Sequence, residues 1–559
     1  MPIPLVFGTE HEYVINVPDA SLPLEEKWFH EKIMAIALLQ DFWLEFFPDI
    51  ADDPYFIRER EVTPDAYDDP RGRVLPWRKY DAPSDRVTLT APDFVGGFMT
   101  PLGSRFYIDH GYFEGSSPEC DDPFVLLACE MAQEELLVEA FQKLFADHPL
   151  KPRLYKNVSD GQGHSQAAHR NFCVSAGFWP LLVSHYARES YIPDNLTRET
   201  RLLMTWHVVE QIFTGAGKYG DEMIVGQRGF SEEELKNAQG VFQLSGRADF
   251  AYRLVGAETT HWRPIVNQRY EPLADHVKYS RYHCICGDAN RAEWPHLFKM
   301  GLTALVLGMI DDDQLDLGFY VKDPHHAIRD VSRDPTCKKP VGVVDYQSGR
   351  AYELSPLEIM NVFLKKMERY IGSRSLPAWA GRIHEKALST AWALEHEPRL
   401  LGTVLDWKIK ELLGDSRPNA FRIHLNYHSL AGPNTLYRKL VESGAVETVI
   451  EREDIAKYKK SPPETTRAYF RGKFIGHFYR DVDHFITDWD QVVLRTNDQG
   501  PKPKKIILDE PLGLTRKECG HIFEGENSPS LEHFENMFVI HDFNKNREAS
   551  YDGPRPKER

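Results

Sequence analysis

Two short stretches of the sequence place acidic side chains where they could act together on a metal ion. The first, GTEHEY near the N-terminus, carries Glu10 and Glu12. If this segment is a strand, both glutamates lie on one face, because strand side chains alternate between faces. Two adjacent carboxylates repel each other, and either a divalent cation or plain solvent would relieve the repulsion. A polar edge strand therefore remains an alternative to a metal site.

The second stretch, GSRFYIDHGYFEGSSPE, shows the same alternation and contains further acids. Arg105, Tyr107 and Asp109 alternate with apolar residues, so we expect them on one face of a strand. Glu114 and Glu119 are expected in the turn that follows and in the first residues of a helix, with serine as the N-cap and proline at N1. Helix capping then explains Glu119 but not Glu114. If these strands neighbour the first, several carboxylates converge, as magnesium ligation requires.

Cationic residues gather in three later segments, FQLSGRADF, WRPIVNQRYEPLAD and KYSRYHCICGDAN. They supply Arg247, Arg269, Arg281 and His283. Arginines on strand-like segments, set against a carboxylate cluster, suit a nucleoside triphosphate bridged by magnesium. Surface ion pairing would explain any one of these residues but explains the set less easily. The glycine-rich IFTGAGKYG has the spacing of neither a Walker loop nor a dinucleotide fingerprint.

The apolar pattern predicts the elements that must hold these residues. We expect helices over residues 22–47 and 122–145, and a buried helix around Leu302–Ile310, a run too short to span a membrane. The acidic, proline-rich segment Asp49–Arg73 is expected to be a long surface loop. It is either an idle insertion or a cover over the active site.

The composition excludes several classes of protein. The chain has 559 residues, of which 42% are hydrophobic, so it can bury a large core and form more than one domain. A formal net charge of −17 disfavours nonspecific binding to nucleic acid or anionic membranes. Seven cysteines, an odd number, do not indicate a disulfide framework, and the N-terminus lacks the features of a signal peptide. We expect a cytoplasmic protein with no nucleic-acid or membrane partner.

Nine segments, taken together, resemble the family of Pup ligases and depupylases, which are relatives of glutamine synthetase. They occur in the family's order between Gly8 and about Asp509, and the C-terminal tail lies largely outside the resemblance. The segments are GTEHEY, GSRFYIDHGYFEGSSPEC, KNVSDGQG…AHRNF, FTGAGK, SGRADF, RPIVNQRYEPLAD…KYSRYHCICGDAN, DPHHAIRDVS, PPETTRAYFRGKF and WDQVVLRTND.

The resemblance implies an α+β fold with a curved, mainly antiparallel β-sheet cradle backed by helices, as in glutamine synthetase. Residues 1–430 would form the ATP-binding catalytic domain, and residues 431–559 a small C-terminal domain and tail. ATP would enter the concave face of the sheet from one end. The C-terminal Gln or Glu of Pup, or of another protein or small-molecule amide, would reach in along a groove.

The resemblance also implies roles for single residues and the cofactors ATP and Mg²⁺. Asp109 matches the family's catalytic aspartate. The residues in segments that hold ATP phosphates are Arg247, Arg269, Arg281 and His283, and those at magnesium-binding positions are Glu10, Glu12, Glu114 and His169. Transfer of the γ-phosphoryl group would make an acyl phosphate that an amine can displace. Asp109 would take a proton from a lysine amine in a ligase, or assist attack on a γ-glutamyl amide in a depupylase.

Two features of the sequence depart from the family pattern. Arg170 stands where the family usually has Glu, and a cation there is expected to weaken or reposition a nearby magnesium ion. The family's HPEY is replaced by Tyr112–Gly115, which keeps only Glu114. These changes leave open whether the chain acts on Pup at all.

Four interpretations therefore stay open. FTGAGK, the Asp109–His110 pair and the insertion before them favour an ATP-dependent amidase or isopeptidase of the depupylase type. The RTNDQ…KIILDEPL tail favours a ligase that joins a carboxylate to an amine. A side-branch phosphotransferase or hydrolase that does not act on Pup is a third interpretation. A noncatalytic binder, for which Arg170 is the main argument, is the fourth.

Overall fold

One large β-sheet organises the part of the chain that this computed structural model describes. The described residues are 6–18, 21–46, 97–109, 111–159, 165–166, 168–182, 196–219, 242–257, 263–269, 272–414, 420–479, 485–494, 504–524 and 530. The strands are β1 (Phe7–Asn16), β2 (Gly97–Met99), β3 (Arg105–Asp109), β4 (Tyr112–Ser116), β5 (Arg153–Tyr155), β6 (Ala168–Ser175), β7 (Lys218–Tyr219), β8 (Phe242–Gln243), β9 (Arg253–Gly256), β10 (Pro264–Asn267), β11 (Tyr279–Cys284), β12 (Phe319–Val321), β13 (Val341–Asp345), β14 (Ala351–Leu354), β15 (Ser429–Ala431), β16 (Phe485–Thr487), β17 (Gln491–Leu494) and β18 (Lys504–Ile507).

The large sheet places β1 near its centre. Hydrogen-bonded neighbours follow the order β2-β3-β4-β1-β6-β11-β10-β9, and β5 pairs with both β1 and β15. The pair β9–β10 is parallel, and the other described pairs of this sheet are antiparallel. Smaller sheets join β12-β13-β14, β16-β17-β18 and β7-β8. The predicted α+β class with a large, mainly antiparallel sheet is confirmed.

Helices back the sheet and build much of the remaining described chain. They are α1 (Leu24–Phe46), α2 (Pro123–Phe145), α3 (Phe178–Leu182), α4 (Arg198–Val209), α5 (Gln211–Thr214), α6 (Glu293–Asp311), α7 (Pro324–Ser332), α8 (Pro356–Ser373), α9 (Ala378–His396), α10 (Asp406–Gly414), α11 (Ala420–His428), α12 (Leu436–Glu442), α13 (Arg452–Tyr458), α14 (Ala468–Phe478) and α15 (Arg516–Phe523), with 3₁₀ turns at Ala248–Phe250 and Pro398–Thr403. The helices predicted over residues 22–47 and 122–145 are confirmed as α1 and α2. The buried helix predicted at Leu302–Ile310 is the second half of α6.

The beginning of α2 differs from the sequence-based expectation. The helix starts at Pro123, and its cap is Asp122, whose carboxylate accepts the N–H of Phe124 at 2.7 Å. The serine–proline pair predicted as the cap lies earlier in the chain, whereas this second cap-and-proline pair directly precedes the apolar run. Glu119 is therefore outside the helix, and its role must be sought elsewhere.

Strand β1 separates two different environments. Glu10 and Glu12 lie on one face of the sheet, which we call the site face. Thr9 and His11 lie on the opposite face, which we call the helix face because α1 and α6 pack against it. There His11 Nε2 is 2.9 Å from a carboxylate oxygen of Glu130 on α2. The predicted placement of Glu10 and Glu12 on one strand face is thereby confirmed.

The hydrophobic clusters favour a later domain boundary than the one predicted at residue 430. Strand β15 spans that position and pairs with β5 of the large sheet. Core residues as far along the chain as Tyr458 belong to the main cluster, and a separate cluster runs from Tyr469 to Cys519. We call this second body the C-terminal unit. The division into residues 1–430 and 431–559 remains a prediction, and core packing favours a boundary between residues 458 and 469.

Asp49–Arg73, predicted as a loop near the site, lies outside the described residues. No described helix is long and apolar enough to cross a bilayer. All seven cysteines are described, and each is a free thiol.

Candidate active site

The strand register brings the predicted acids of β1 beside those of β4 and β6. Glu12 lies opposite Glu114 on β4, and Glu10 lies opposite His169 on β6. Directly opposed residues in antiparallel strands point to the same face, so all four side chains share the site face. Glu114 is thus a strand residue, which corrects its predicted place in a turn. Its position on the site face explains why helix capping could not account for it.

Glu12, Asp109 and Glu114 form one candidate cation site, which we call the acid cluster. One carboxylate oxygen from each lies within 4.8 Å of the others. Glu114 is 2% exposed and Glu12 is 9% exposed. Burial, together with the charges of Glu12, Glu10 and Asp109, raises the pKa of Glu114 well above its ordinary value. A bound cation would remove this repulsion, and an all-oxygen ligand set is the kind that magnesium prefers.

Tyr107 completes the wall beside the acid cluster. It lies opposite Glu114 on β3, and its hydroxyl hydrogen-bonds to Glu114 and Ser116. Burial and the charges of Glu10 and Glu114 raise the pKa of Tyr107, so it stays a neutral phenol. The sequence predicts Tyr107 on the polar strand face, but its contact with Glu114 depends on the pairing of β3 with β4. Its alternation with Asp109 was the available signal.

Glu10, His169 and His283 form a second candidate site, which we call the histidine cluster. Their ligand atoms also lie within 4.8 Å of one another. His169 Nδ1 is 3.1 Å from one oxygen of Glu10, and Asn171 Nδ2 donates to the other at 2.9 Å. Burial alone would raise the pKa of Glu10. The hydrogen bond from His169 and the charges of His283, His169 and Arg281 outweigh burial and hold this pKa well below its usual range.

His283 has the state expected of a metal ligand. It is 5% exposed, and among the described residues neither ring nitrogen has a hydrogen-bond partner. Burial is the main cause that lowers the pKa of His283 well below its ordinary value, so the imidazole is neutral and keeps a lone pair. We predicted His283 as a phosphate contact. The structure instead brings it together with the predicted metal residues Glu10 and His169.

Arg247 braces the site from within the protein. It is 3% exposed, and its guanidinium donates to Ser165 Oγ at 2.6 Å and to the carbonyls of Gln166 and Ile285 at 3.1 and 2.7 Å. Burial and the charge of Arg263 lower the pKa of Arg247 to about 10. Because both terminal nitrogens of the guanidinium are used in these bonds, Arg247 holds segments together, while its buried Nε has no hydrogen-bond partner among the described residues.

The other predicted arginines lie nearer the opening of the site. Arg281 is on β11, where its Nε donates to the backbone carbonyl of Arg269 at 3.2 Å. Arg269 itself is exposed. Arg263, from the same cationic segment as Arg269, donates to Ser165 Oγ at 3.0 Å, and its charge acts on Glu12. The cationic side of the site thus comprises Arg281, Arg269 and Arg263, with Arg247 behind them.

A cavity continues from the histidine cluster toward the C-terminal unit. Its lining includes Glu10 and Arg281 at one end and Trp489 and Pro511 from the C-terminal unit. The guanidinium carbon of Arg471 lies 4.7 Å from the Trp489 ring centroid, and Arg471 donates to the Trp489 carbonyl at 3.0 Å. Trp489 lies in the WDQVV segment, and the sequence alone does not show that its side chain faces this cavity.

Glu119 connects the sheet to the C-terminal unit. Its carboxylate accepts a hydrogen bond from Arg467 Nε at 2.8 Å. Both terminal nitrogens of Arg471 also donate to this carboxylate. Burial would raise the pKa of Glu119, but the charges of Arg471 and Arg467 lower it to about 2. The capping role predicted for Glu119 is therefore wrong, and its role is a buried ion pair beside the cavity.

Arg170 lies on the helix face, away from both candidate cation sites. It is 1% exposed, and it makes two bonds to Glu210 at 2.8 and 2.7 Å. The expectation that Arg170 disturbs a magnesium ion is wrong, because its neighbour His169 occupies the site face and successive strand residues point to opposite faces. The main argument for a noncatalytic binder is removed with it.

Solved structures with this architecture define the class of fold. The complex of the prokaryotic ubiquitin-like protein Pup with its ligase PafA matches with a TM-score of 0.66 at 21% identity, over 98% of each chain. The Pup ligase PafA in complex with ADP matches with a TM-score of 0.63 at 24% identity, over 77% of this chain and 90% of that chain. These likenesses establish the fold.

The sequence comparisons establish the family. The family model described as Pup-ligase protein matches residues 5–493. The chain is 32% identical to the Pup deamidase/depupylase of Mycolicibacterium smegmatis, over 76% of this chain and 80% of that protein. It is also 32% identical to the Pup–protein ligase of Kineococcus radiotolerans, over 72% of this chain and 84% of that protein. The chain belongs to the Pup-ligase family, as its motifs predicted.

Proposed function

We propose that this protein is an ATP- and Mg²⁺-dependent enzyme that cleaves the isopeptide or γ-glutamyl amide bond of Pup. The observation that carries the proposal is the pair of adjacent ligand clusters on the site face, within a chain of this family. The acid cluster offers only oxygen ligands, which suits magnesium. The histidine cluster adds imidazole nitrogens, which also accept softer divalent ions.

The cavity beside the clusters supports the placement of the nucleotide. Its outer wall carries the indole of Trp489 together with Pro511 and Leu273, a surface suited to a flat purine base. Its inner end carries Glu10 and Arg281, a surface suited to phosphates with a bound cation. ATP in this orientation would be held with its phosphates toward Glu10 and Arg281. A solved neighbour of the same fold contains ADP.

Each residue around the reacting bond has a separate role in the proposed reaction. Bound Mg²⁺ and ATP supply charge neutralisation and a phosphoryl donor. Arg281 and Arg263 stabilise phosphate charge from the cationic side. Asp109, at the end of β3, assists attack on the amide by taking a proton, and Tyr107 fixes Glu114 through a hydrogen bond.

Ligation is the second candidate function. The ligase and depupylase relatives share the same 32% identity with this chain, so identity favours neither branch. One aspartate can serve both directions, since a base that activates a nucleophile for cleavage can also deprotonate an attacking amine. The choice depends on the acceptor, which is water or phosphate in cleavage and a lysine amine in ligation.

The decisive experiment measures both directions in parallel. Purified protein is incubated with ATP, Mg²⁺ and a Pup conjugate, and separately with ATP, Mg²⁺, free Pup and an acceptor protein. Conjugate cleavage, conjugate formation and ADP are followed, with Asp109→Asn as the matched control. Cleavage that Asp109→Asn abolishes supports the proposal, and conjugate formation alone supports the ligase. ADP release without either reaction would point to the side-branch enzyme that does not act on Pup.

A further inference from the structure

Two cysteine sulfur atoms meet beneath the large sheet, on the side away from the proposed reaction. Cys284 ends β11 and Cys286 follows two residues later, so their side chains point to the same face. Their Sγ atoms are 3.4 Å apart. Cys284 is fully buried, whereas Cys286 is partly exposed. The pair is therefore a buried thiol in contact with one that a small solute can approach.

Arg170 supplies the charge that makes this pair chemically distinctive. It lies opposite Cys284 in the strand register, and its Nη2 is 2.9 Å from Cys284 Sγ and 3.8 Å from Cys286 Sγ. The guanidinium therefore lies beside both sulfur atoms, where it can stabilise negative charge that develops on sulfur as bonds form and break. His207 and Glu210 complete a set of potential metal ligands here. Arg170 already bonds both Glu210 and Cys284, so a positive charge occupies the place that a metal ion would need.

We propose that Cys284 and Cys286 form a reversible disulfide when the protein meets a hydroperoxide such as hydrogen peroxide. The Cys286 sulfur attacks one peroxide oxygen, the O–O bond breaks, and the thiol proton leaves with the other oxygen as water. The product is a sulfenic acid at Cys286. The Cys284 sulfur then attacks that sulfur, the S–S bond forms, the S–O bond of the sulfenic acid breaks, and the departing oxygen leaves as water with the Cys284 proton. The two thiols lose two electrons in total, and the peroxide is reduced by two.

The location of the pair connects this oxidation to the site. A disulfide bond is about 2.05 Å long, so the sulfurs must approach and the intervening residue must shift. That residue is Ile285, whose carbonyl accepts from Arg247 at 2.7 Å. His283 of the histidine cluster directly precedes Cys284, and Asp288, just beyond Cys286, accepts the backbone N–H of Arg247 at 3.0 Å. Oxidation therefore acts on the segment that carries one site residue and braces another.

Peptide mass spectrometry tests the modification directly. Full-length protein is reduced, freed of reductant and treated with hydrogen peroxide, and its tryptic peptides are analysed without reduction. Both cysteines fall in the single peptide Tyr282–Arg291, which contains no other cysteine. We expect this peptide to lose the mass of two hydrogen atoms and to regain it with dithiothreitol. Cys286→Ser and Cys284→Ala should abolish the loss, whereas the matched control Cys519→Ser should retain it.

The outcomes separate the modification from its effect on the site. Oxygen addition to the peptide without disulfide formation would overturn the proposal, as would a disulfide that joins either cysteine to another segment. The mass readout needs no substrate, so it stands even if the proposed function fails. The thermal shift produced by ATP and Mg²⁺ should fall on oxidation and recover with dithiothreitol, but not change in Cys286→Ser. An oxidised protein with an undiminished shift would overturn the connection to the site.

Discussion

Replacing Glu119 with Gln should loosen the C-terminal unit from the sheet. Glu119 is 14% exposed, and it neutralises the buried guanidinium groups of Arg467 and Arg471. Glutamine keeps the size of the side chain but removes the charge, so two buried cations remain without their counter-ion. Because Arg471 also contacts Trp489, the substitution should disturb the wall of the cavity as well.

The expected loss of stability follows from the pKa of Glu119. Its ordinary value of 4.5 falls to about 2 in the folded protein, and at about 1.4 kcal/mol per pKa unit this corresponds to roughly 3–4 kcal/mol. Breaking a buried ion pair by removing one partner typically costs about 3–5 kcal/mol, which agrees with that value. Opening of the C-terminal unit should therefore become about 300-fold more frequent.

Hydrogen–deuterium exchange of peptides from α14 (Ala468–Phe478) measures this opening. The matched control is Glu464→Gln, which removes a more exposed carboxylate that pairs with Arg516 at 3.1 Å. An exposed pair contributes less than about 1 kcal/mol, so exchange in the control should change less than about fivefold. Equal exchange in Glu119→Gln and Glu464→Gln would refute the reasoning. So would unchanged nucleotide affinity in a Glu119→Gln protein whose α14 peptides exchange faster.

The same ion pair predicts the direction of a pH effect. A carboxylate whose pKa is lower in the folded than in the unfolded state contributes stability that is fully present above the unfolded value. That contribution is lost as the pH falls from about 4.5 to about 2. The Glu119→Gln protein should lack this part of the acid-induced loss, so the two proteins should become more alike in stability as the pH falls.

Three further predictions concern the sheet. Asp109→Asn should lower turnover about 10²–10⁴-fold while ATP with Mg²⁺ still raises the melting temperature; loss of the thermal shift would instead make Asp109 an essential metal ligand. Glu114→Gln should leave the metal-free protein at least as stable as wild type, because it removes charge repulsion in the acid cluster, and should weaken the Mg²⁺-induced shift in melting temperature. Arg170→Glu should destabilise the protein by about 3–5 kcal/mol in chemical denaturation, because it buries a second acid against Glu210; a stable variant would contradict this.

Local periodicity was enough to predict much of the site. The period-two pattern correctly placed Glu10 with Glu12 and aligned Tyr107 with Asp109, because these relations depend only on strand geometry. The same pattern also predicts that Arg170 lies on the strand face opposite His169. Neighbours on one strand face opposite sides, so His169 and Arg170 could not both lie beside one metal ion.

Contacts between distant segments were beyond the same reasoning. Glu119 and Arg471 are separated by 352 positions, and nothing in either local pattern indicates the other. Trp489 reaches the cavity only because the C-terminal unit is held against the sheet. Arg247 was predicted to contact phosphate, but its guanidinium donates to backbone carbonyl groups of other segments. The spacing of residues in the sequence does not predict how those carbonyl groups are oriented.

Strand β1 carries polar side chains on both faces, and this makes its alignment unusually intolerant of error. In most half-buried strands the apolar face sets the register, because a slip by one residue would expose the apolar side chains to solvent. In β1 the helix face also carries three buried apolar side chains, those of Phe7, Tyr13 and Ile15. A slip would in addition drive Glu10 and Glu12 against Glu130 and leave His11 in the cation site. Electrostatic repulsion between these acids would destabilise the slipped register. When β1 pairs in register with β4 and β6, the ligand side chains of both candidate cation sites are already together. Correct folding of this strand therefore also selects a correctly assembled site.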